Sequence, residues 1–137
     1  MVSGCVITIA GGAIAWSSKK QTSVALSTAE AKYISTTHAA KQVLWHRSLF
    51  QGLNFKLPRT STIFFLDNQA AIAIAHHPEF HARTKHIDIN HHFLQDLVKS
   101  GTLNIVYITT EKNLTDIFTK GLSRSTHQNL MYEIGVL

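Results

Sequence analysis

Between Ser61 and Ala75 the chain reads Ser-Thr-Ile-Phe-Phe-Leu-Asp-Asn-Gln-Ala-Ala-Ile-Ala-Ile-Ala. The first half is short, apolar and rich in β-branched and aromatic side chains, the composition of a buried strand. The second half alternates small and branched apolar residues behind Asp67 and Asn68, two residue types that favour helix starts. This stretch therefore reads as strand, turn and helix, with the Asp67 carboxylate at the carboxyl end of the strand. Open α/β sheets place their ligands at that end. A strand and helix in such close succession fit an α/β or α+β order.

The remaining segments fit that frame. Gly4 to Ala10 and Ala13 to Ser18 read as two strands around Gly11-Gly12, a pair that readily supplies the positive φ angles of a tight hairpin. Ser27-Thr28-Ala29-Glu30 matches a capping box and predicts a helix from residue 28. Tyr33, Thr37, Ala40 and Leu44, with Val43 beside them, continue that helix until Gly52 and Asn54 break the pattern. Residues 53 to 60, with Pro58, form a connection.

A short helix from Asn68 to Ala75 is expected to stop at His76-His77-Pro78, because proline lacks an amide donor and restricts its predecessor. A polar loop then runs to about Lys85. His86 to Ser100 carries Ile87, Leu94, Leu97 and Val98 at helical spacing, and Gly101 stands where a left-handed cap is favoured. Thr102 to Ile108 reads as a strand, Asn113 to Gly121 as a helix carrying Asp116, and the last residues as a weakly periodic tail. The predicted order is two strands, helix, strand, two helices, strand, helix, arranged about a mixed sheet.

With 137 residues, 45% hydrophobic and 15% charged, one globular domain spanning 1–137 is expected. Net charge +5 and a pI near 9.6 suit a polyanionic partner. The single cysteine, Cys5, excludes an intramolecular disulfide and a thiolate zinc cage, and is expected to be inert packing in a reducing compartment. No basic leader or long apolar run marks a signal peptide or membrane span, so the expectation is a soluble, intracellular protein without membrane contact. Nine histidines invite a zinc reading, but His77, His81, His86, His91 and His92 reproduce no standard ligand spacing. Trp16, Trp45 and Tyr33 are expected in the core or on a sheet face.

Five ordered blocks carry a resemblance to a known family. They are residues 11 to 21 (Gly-Gly-Ala-Ile-Ala-Trp-Ser-Ser-Lys-Lys-Gln), 25 to 31 (Ala-Leu-Ser-Thr-Ala-Glu-Ala), 67 to 72 (Asp-Asn-Gln-Ala-Ala-Ile), 81 to 89 (His-Ala-Arg-Thr-Lys-His-Ile-Asp-Ile) and 114 to 120 (Leu-Thr-Asp-Ile-Phe-Thr-Lys). Together they resemble the ribonuclease H domain that closes the polyprotein of copia-type long-terminal-repeat retrotransposons. The resemblance implies an α/β, ribonuclease H-like mixed sheet with flanking helices. It also implies metal-dependent hydrolysis of the RNA strand of an RNA–DNA hybrid, with two Mg2+ ions held by acidic residues. Paired ions suit that reaction, one activating the attacking water and the other stabilising the leaving oxygen.

Residue by residue, the family pattern is only half present. Asp67 matches the aspartate that ends the family's fourth strand, and Asp116 matches that of its last helix, so both are candidate catalytic and metal-ligating residues in vestigial form. The family reads Glu-Ala-Glu-Tyr in its first long helix, where this chain has Glu30-Ala31-Lys32-Tyr33. Lys32 thus stands at the position of the catalytic glutamate, which changes that side chain from −1 to +1 and repels divalent cations. Glu30 is no substitute, since two residues along a helix turn a side chain by about 200°.

The family's first, central strand and its aspartate are missing, which would leave two flanking strand edges unpaired. Lys32 is expected to fill part of the metal site and pair with Asp67. The resemblance further implies substrate-backbone contacts for Arg83, Lys85 and His86, in a segment that also holds His81. It implies a reverse transcriptase region as neighbour in the polyprotein, and a cytoplasmic, nuclear or virus-like-particle location. The reading is an inactive copy. Two alternatives stand beside it: a nucleic-acid-binding module that does not cut, and an interaction protein whose sheet edges recruit a strand from a partner chain.

Overall fold

The computed structural model describes residues 2–22, 28–57, 61–76 and 85–135, with the side chains of residues 74 and 85–91 left out. The predicted capping residue Ser27, the stop at His77-Pro78, Pro58 and the loop leading to Lys85 lie outside the described residues.

The chain opens with an antiparallel hairpin of β1 (Val2–Ile9) and β2 (Gly12–Lys20). Its turn is Ala10-Gly11, one residue earlier than Gly11-Gly12, because Gly12 already pairs with Ile9. Both turn residues have positive φ, 53° at Ala10 and 82° at Gly11, as a two-residue turn matching strand twist requires. The register shifts between Ile7 and Thr8, so that Ile7 pairs with Ala15 and Thr8 with Ala13.

Helix α1 (Thr28–Gly52) follows, starting where expected. It buries Ala31, Tyr33, Ile34, Thr36, Thr37, Ala40 and Val43. Trp45 faces outward and is 61% exposed, and Trp16 on β2 is 65% exposed, so neither joins the core. Tyr33 does, and burial pushes its phenol pKa above the ordinary value. Cys5 is buried and free, and burial raises its thiol pKa too.

Strand β3 (Thr62–Leu66) then leads through Asp67 into α2 (Gln69–His76). Helix α3 (Lys85–Lys99) ends in paired turn bonds, Gly101 N–H to Val98 O and Thr102 N–H to Leu97 O, with Gly101 at φ 78°. That cap aims the chain straight into β4 (Leu103–Tyr107), which pairs in parallel with β3, Thr62 opposite Leu103 and Leu66 opposite Tyr107. Two helices supply the crossover that a parallel pair needs. Tyr33, Ala40, Ala75, Leu94, Leu103 and Ile105 form the core, where α1, α2 and α3 close on β4.

After β4 the chain departs from the predicted helix of Asn113 to Gly121. A 3-10 turn (Thr110–Lys112) precedes a short α4 (Asp116–Thr119). Between them Asn113 Oδ1 accepts from the amide of Thr115 at 3.1 Å and from its hydroxyl at 2.7 Å, a side-chain bond that competes with helical backbone pairing. The tail is a helix, α5 (Arg124–Ile134), capped by the Ser123 hydroxyl and by Gly135 at φ 90°. Among its residues only Leu130 and Ile134 are buried, too few for a periodic signal.

The expected mixed sheet is not one sheet. Among the described residues the strands form two separate pairs, β1 with β2 and β3 with β4. Over the described residues the architecture is mixed α/β with two small sheets and five helices.

Candidate functional site

Asn68, not Asp67, does the helix capping: its Oδ1 accepts from the amide of Ala71 at 2.9 Å. Asp67 is thereby left at the carboxyl end of β3 with its side chain free for another task. It is met by Lys32 from the second turn of α1, whose Nζ lies 3.5 Å from Asp67 Oδ1. The carboxylate is only 7% exposed and the lysine 29%. A carboxylate so far out of water requires a compensating charge, and Lys32 provides it.

Asp116 has an ion pair of its own. It is buried at the start of α4, and its Oδ1 lies 3.4 Å from the Nζ of Lys120 one turn on. Spacing of four residues on a helix is a legible signal for that contact, and it is a pairing the sequence reading overlooked. Asp67 and Lys32 line a groove of about 860 Å³ between β1, β3, α1 and the α4 region, with Thr115 and Lys120 on its wall. Asp116 is not among the lining residues. Arg83 and His81 lie outside the described residues, and Lys85 and His86 open α3 without a described side chain.

A pair of divalent ions needs several carboxylates converging without competing cations. Among the described residues no group of three or more His, Cys, Asp or Glu is placed to hold a metal. Each candidate aspartate instead carries a lysine. The donor set therefore does not fit two Mg2+ ions. What it does fit is a closed ion pair beside the groove.

Two long-range bonds fix the groove's walls. Gln21 donates through Nε2 to the carbonyl of Ala31 at 2.9 Å and to the Ser3 hydroxyl at 2.6 Å, tying the start of β1 to the start of α1. Arg47 Nε donates to the Thr62 hydroxyl at 2.6 Å, tying the start of β3 to the far half of α1. No helix among the described residues is long and apolar enough to cross a membrane.

Over 133 residues the chain is 39% identical to the retrovirus-related Pol polyprotein from transposon RE1 of Arabidopsis thaliana. It is 38% identical over 122 residues to that from transposon TNT 1-94 of Nicotiana tabacum, and 37% over 134 residues to that from transposon RE2 of Arabidopsis thaliana. These matches take in 97%, 89% and 98% of this chain but 9% of each relative. Neither a family model nor a solved structure matches it. The chain is thus homologous, over nearly its whole length, to one segment of transposon Pol polyproteins.

Proposed function

We propose that this segment of a transposon Pol polyprotein is a ribonuclease H-like domain in which an ion pair has replaced the hydrolytic metal site. The observation that carries the reading is the Lys32–Asp67 contact at 3.5 Å, on a carboxylate 7% exposed. Hydrolysis of a phosphodiester through bound metal ions calls for an acidic cluster open to cations. Here an ammonium group sits on one acid and Lys120 on the other. The order of elements supports the fold assignment: a hairpin, a long helix, a strand ending in aspartate, two helices, a parallel strand and a helix opening on a second aspartate. On this reading the groove beside β1 is where the family's central strand would run.

The net charge of +5 favours retention of nucleic-acid binding without cutting. The test is incubation of the unaltered chain with a labelled RNA–DNA hybrid in Mg2+ and in Mn2+, alongside a binding titration at several salt concentrations. The expected result is an intact RNA strand, with hybrid binding that weakens as salt rises. Metal-dependent cutting of the RNA strand by the unaltered chain would overturn the proposal.

A further inference from the structure

The second half of α1 turns an apolar ridge outward. Trp45, Leu49 and Leu53 follow one another at four-residue spacing and are 61%, 42% and 68% exposed. Lys41, one turn earlier on the same line, is exposed as well. Single exposed apolar residues are common on protein surfaces. A run of them along one line of a helix is instead the kind of ridge by which helices pack on one another.

The ridge is held in place at its far end. Asn54 takes φ 59°, its amide donates to the Gln51 carbonyl at 3.1 Å, and the Phe55 amide donates to the Phe50 carbonyl at 2.9 Å. These bonds make a left-handed helix cap, and Phe55 is folded back against Phe50 with ring centroids 5.4 Å apart. Phe55 is still 54% exposed and extends the apolar surface past the helix end. At the near end the Trp45 indole meets the His46 ring edge-on at 4.9 Å, and His46 Nδ1 donates to the Gln42 carbonyl at 2.8 Å. A surface ordered in advance loses little side-chain freedom when a partner lands on it.

Its charge has one sign. From Ala31 to Leu66 the chain has no aspartate or glutamate, against Lys32, Lys41, Arg47, Lys56 and Arg59. Lys32 is matched by Asp67, just beyond that run, and Arg47 turns to Thr62 on β3. Lys41, whose ammonium lies 5.7 Å from the Phe93 ring centroid, precedes the ridge, and the exposed Lys56 follows it.

We propose that this ridge docks an amphipathic α-helix of a partner protein, whose apolar stripe is flanked by aspartate or glutamate. The length fits one helix, since Lys41 to Leu53 spans about 18 Å, or about three turns. A second copy docked ridge to ridge does not fit, because neither a parallel nor an antiparallel pairing brings an acid to these cations. A nucleic acid would meet the cations but leave Leu49 and Leu53 unmatched, as bases stack on aromatic faces. The exposed Ser48, Gln51 and Asn54 interrupt the broad apolar face that a bilayer surface needs. The ridge shares no residue with the Lys32–Asp67 pair, so this docking is independent of the fate of the metal site.

The test titrates the intact chain with a capped synthetic peptide, Glu-Leu-Ala-Glu-Leu-Leu-Glu-Ala-Leu-Glu-Glu-Leu-Leu-Ala-Glu, by calorimetry and by NMR of backbone amides. Binding is expected, with amide shifts centred on residues 45 to 55. Trp45→Ala and Leu53→Gln, both at exposed positions and expected to keep the urea midpoint, should each weaken binding at least about tenfold, the equivalent of about 1.4 kcal/mol. The same peptide with every glutamate replaced by lysine should also bind at least about tenfold more weakly. No binding at millimolar peptide, equal affinity for the lysine peptide, or undiminished affinity in both variants would overturn the proposal. So would self-association of the unaltered chain that Leu53→Gln abolishes, or binding to anionic vesicles or to an RNA–DNA hybrid that Trp45→Ala abolishes, since the ridge would then have another occupant.

Discussion

Lys32 on α1 and Asp67 at the end of β3 form an ion pair across the head of the groove, 3.5 Å from Nζ to Oδ1. The contact joins elements far apart in sequence and neutralises a carboxylate that is almost wholly out of water. It makes a structural contact of a position that the family resemblance would assign to a metal-binding glutamate.

Removing the lysine strands the carboxylate. Lys32→Met is expected to lower stability by about 1–3 kcal/mol, because Asp67 stays buried without its partner. Adding Asp67→Asn is expected to recover most of that loss, giving a coupling energy in a double-mutant cycle read from urea unfolding. Full additivity of the two changes would show that the pair does not interact.

The hairpin turn provides a backbone test free of packing. Ala10 holds φ 53°, a left-handed conformation that a side chain resists. Ala10→Gly is expected to raise stability by about 1 kcal/mol. Gly11→Ala should lower it by a similar amount from backbone strain alone, since a Cβ there meets nothing within 4 Å. Thermal unfolding of the two variants measures both shifts.

At Gly4 the constraint is contact instead. A Cβ would lie 2.6 Å from Thr119 Cγ2, 3.2 Å from Phe118 Cβ and 3.3 Å from the Thr115 carbonyl. Gly4→Val is expected to cost about 1–3 kcal/mol by pushing α4 off the hairpin. The Ser18 hydroxyl bond to the Phe118 carbonyl, 2.6 Å long, should break with it. Faster amide exchange across α4 would report the displacement, and unchanged exchange would contradict the packing described.

Burial of Tyr33 predicts a sensitivity to alkali. Desolvation raises its phenol pKa above the ordinary 10.0. The native state therefore holds the proton more tightly than the unfolded chain does. Its contribution to stability is full below about pH 10 and is lost as pH climbs toward the raised native value. The urea midpoint should fall more steeply between about pH 10 and 12 in the unaltered chain than in Tyr33→Phe. Equal slopes would contradict this.

What the sequence revealed follows from how local each signal is. The β3–Asp67–α2 unit was readable because strand residues, turn and cap sit within one short run, although the capping falls to Asn68 alone. Gly101 announced the end of α3 by its backbone freedom. The hairpin turn slipped by one residue because Gly12 is as permissive as Gly11, and pairing with Ile9 decided between them. Helix α5 was hidden because Leu130 and Ile134 alone mark its buried face. Trp45 misled because it lies on an outer face of its helix, 61% exposed among the described residues, and hydrophobicity does not say which face a residue takes. The separation into two sheets is a nonlocal property, set by which strand edges find partners, and no pattern within one segment encodes it.

The most direct test of the central claim is a Mn2+ titration followed by paramagnetic broadening of backbone amide signals, on the unaltered chain and on Lys32→Glu. If Lys32 holds the position of a metal, millimolar Mn2+ leaves the signals around Asp67 sharp in the unaltered chain and broadens them in the variant. Broadening centred on Asp67 in the unaltered chain, as strong as in Lys32→Glu, would contradict the account.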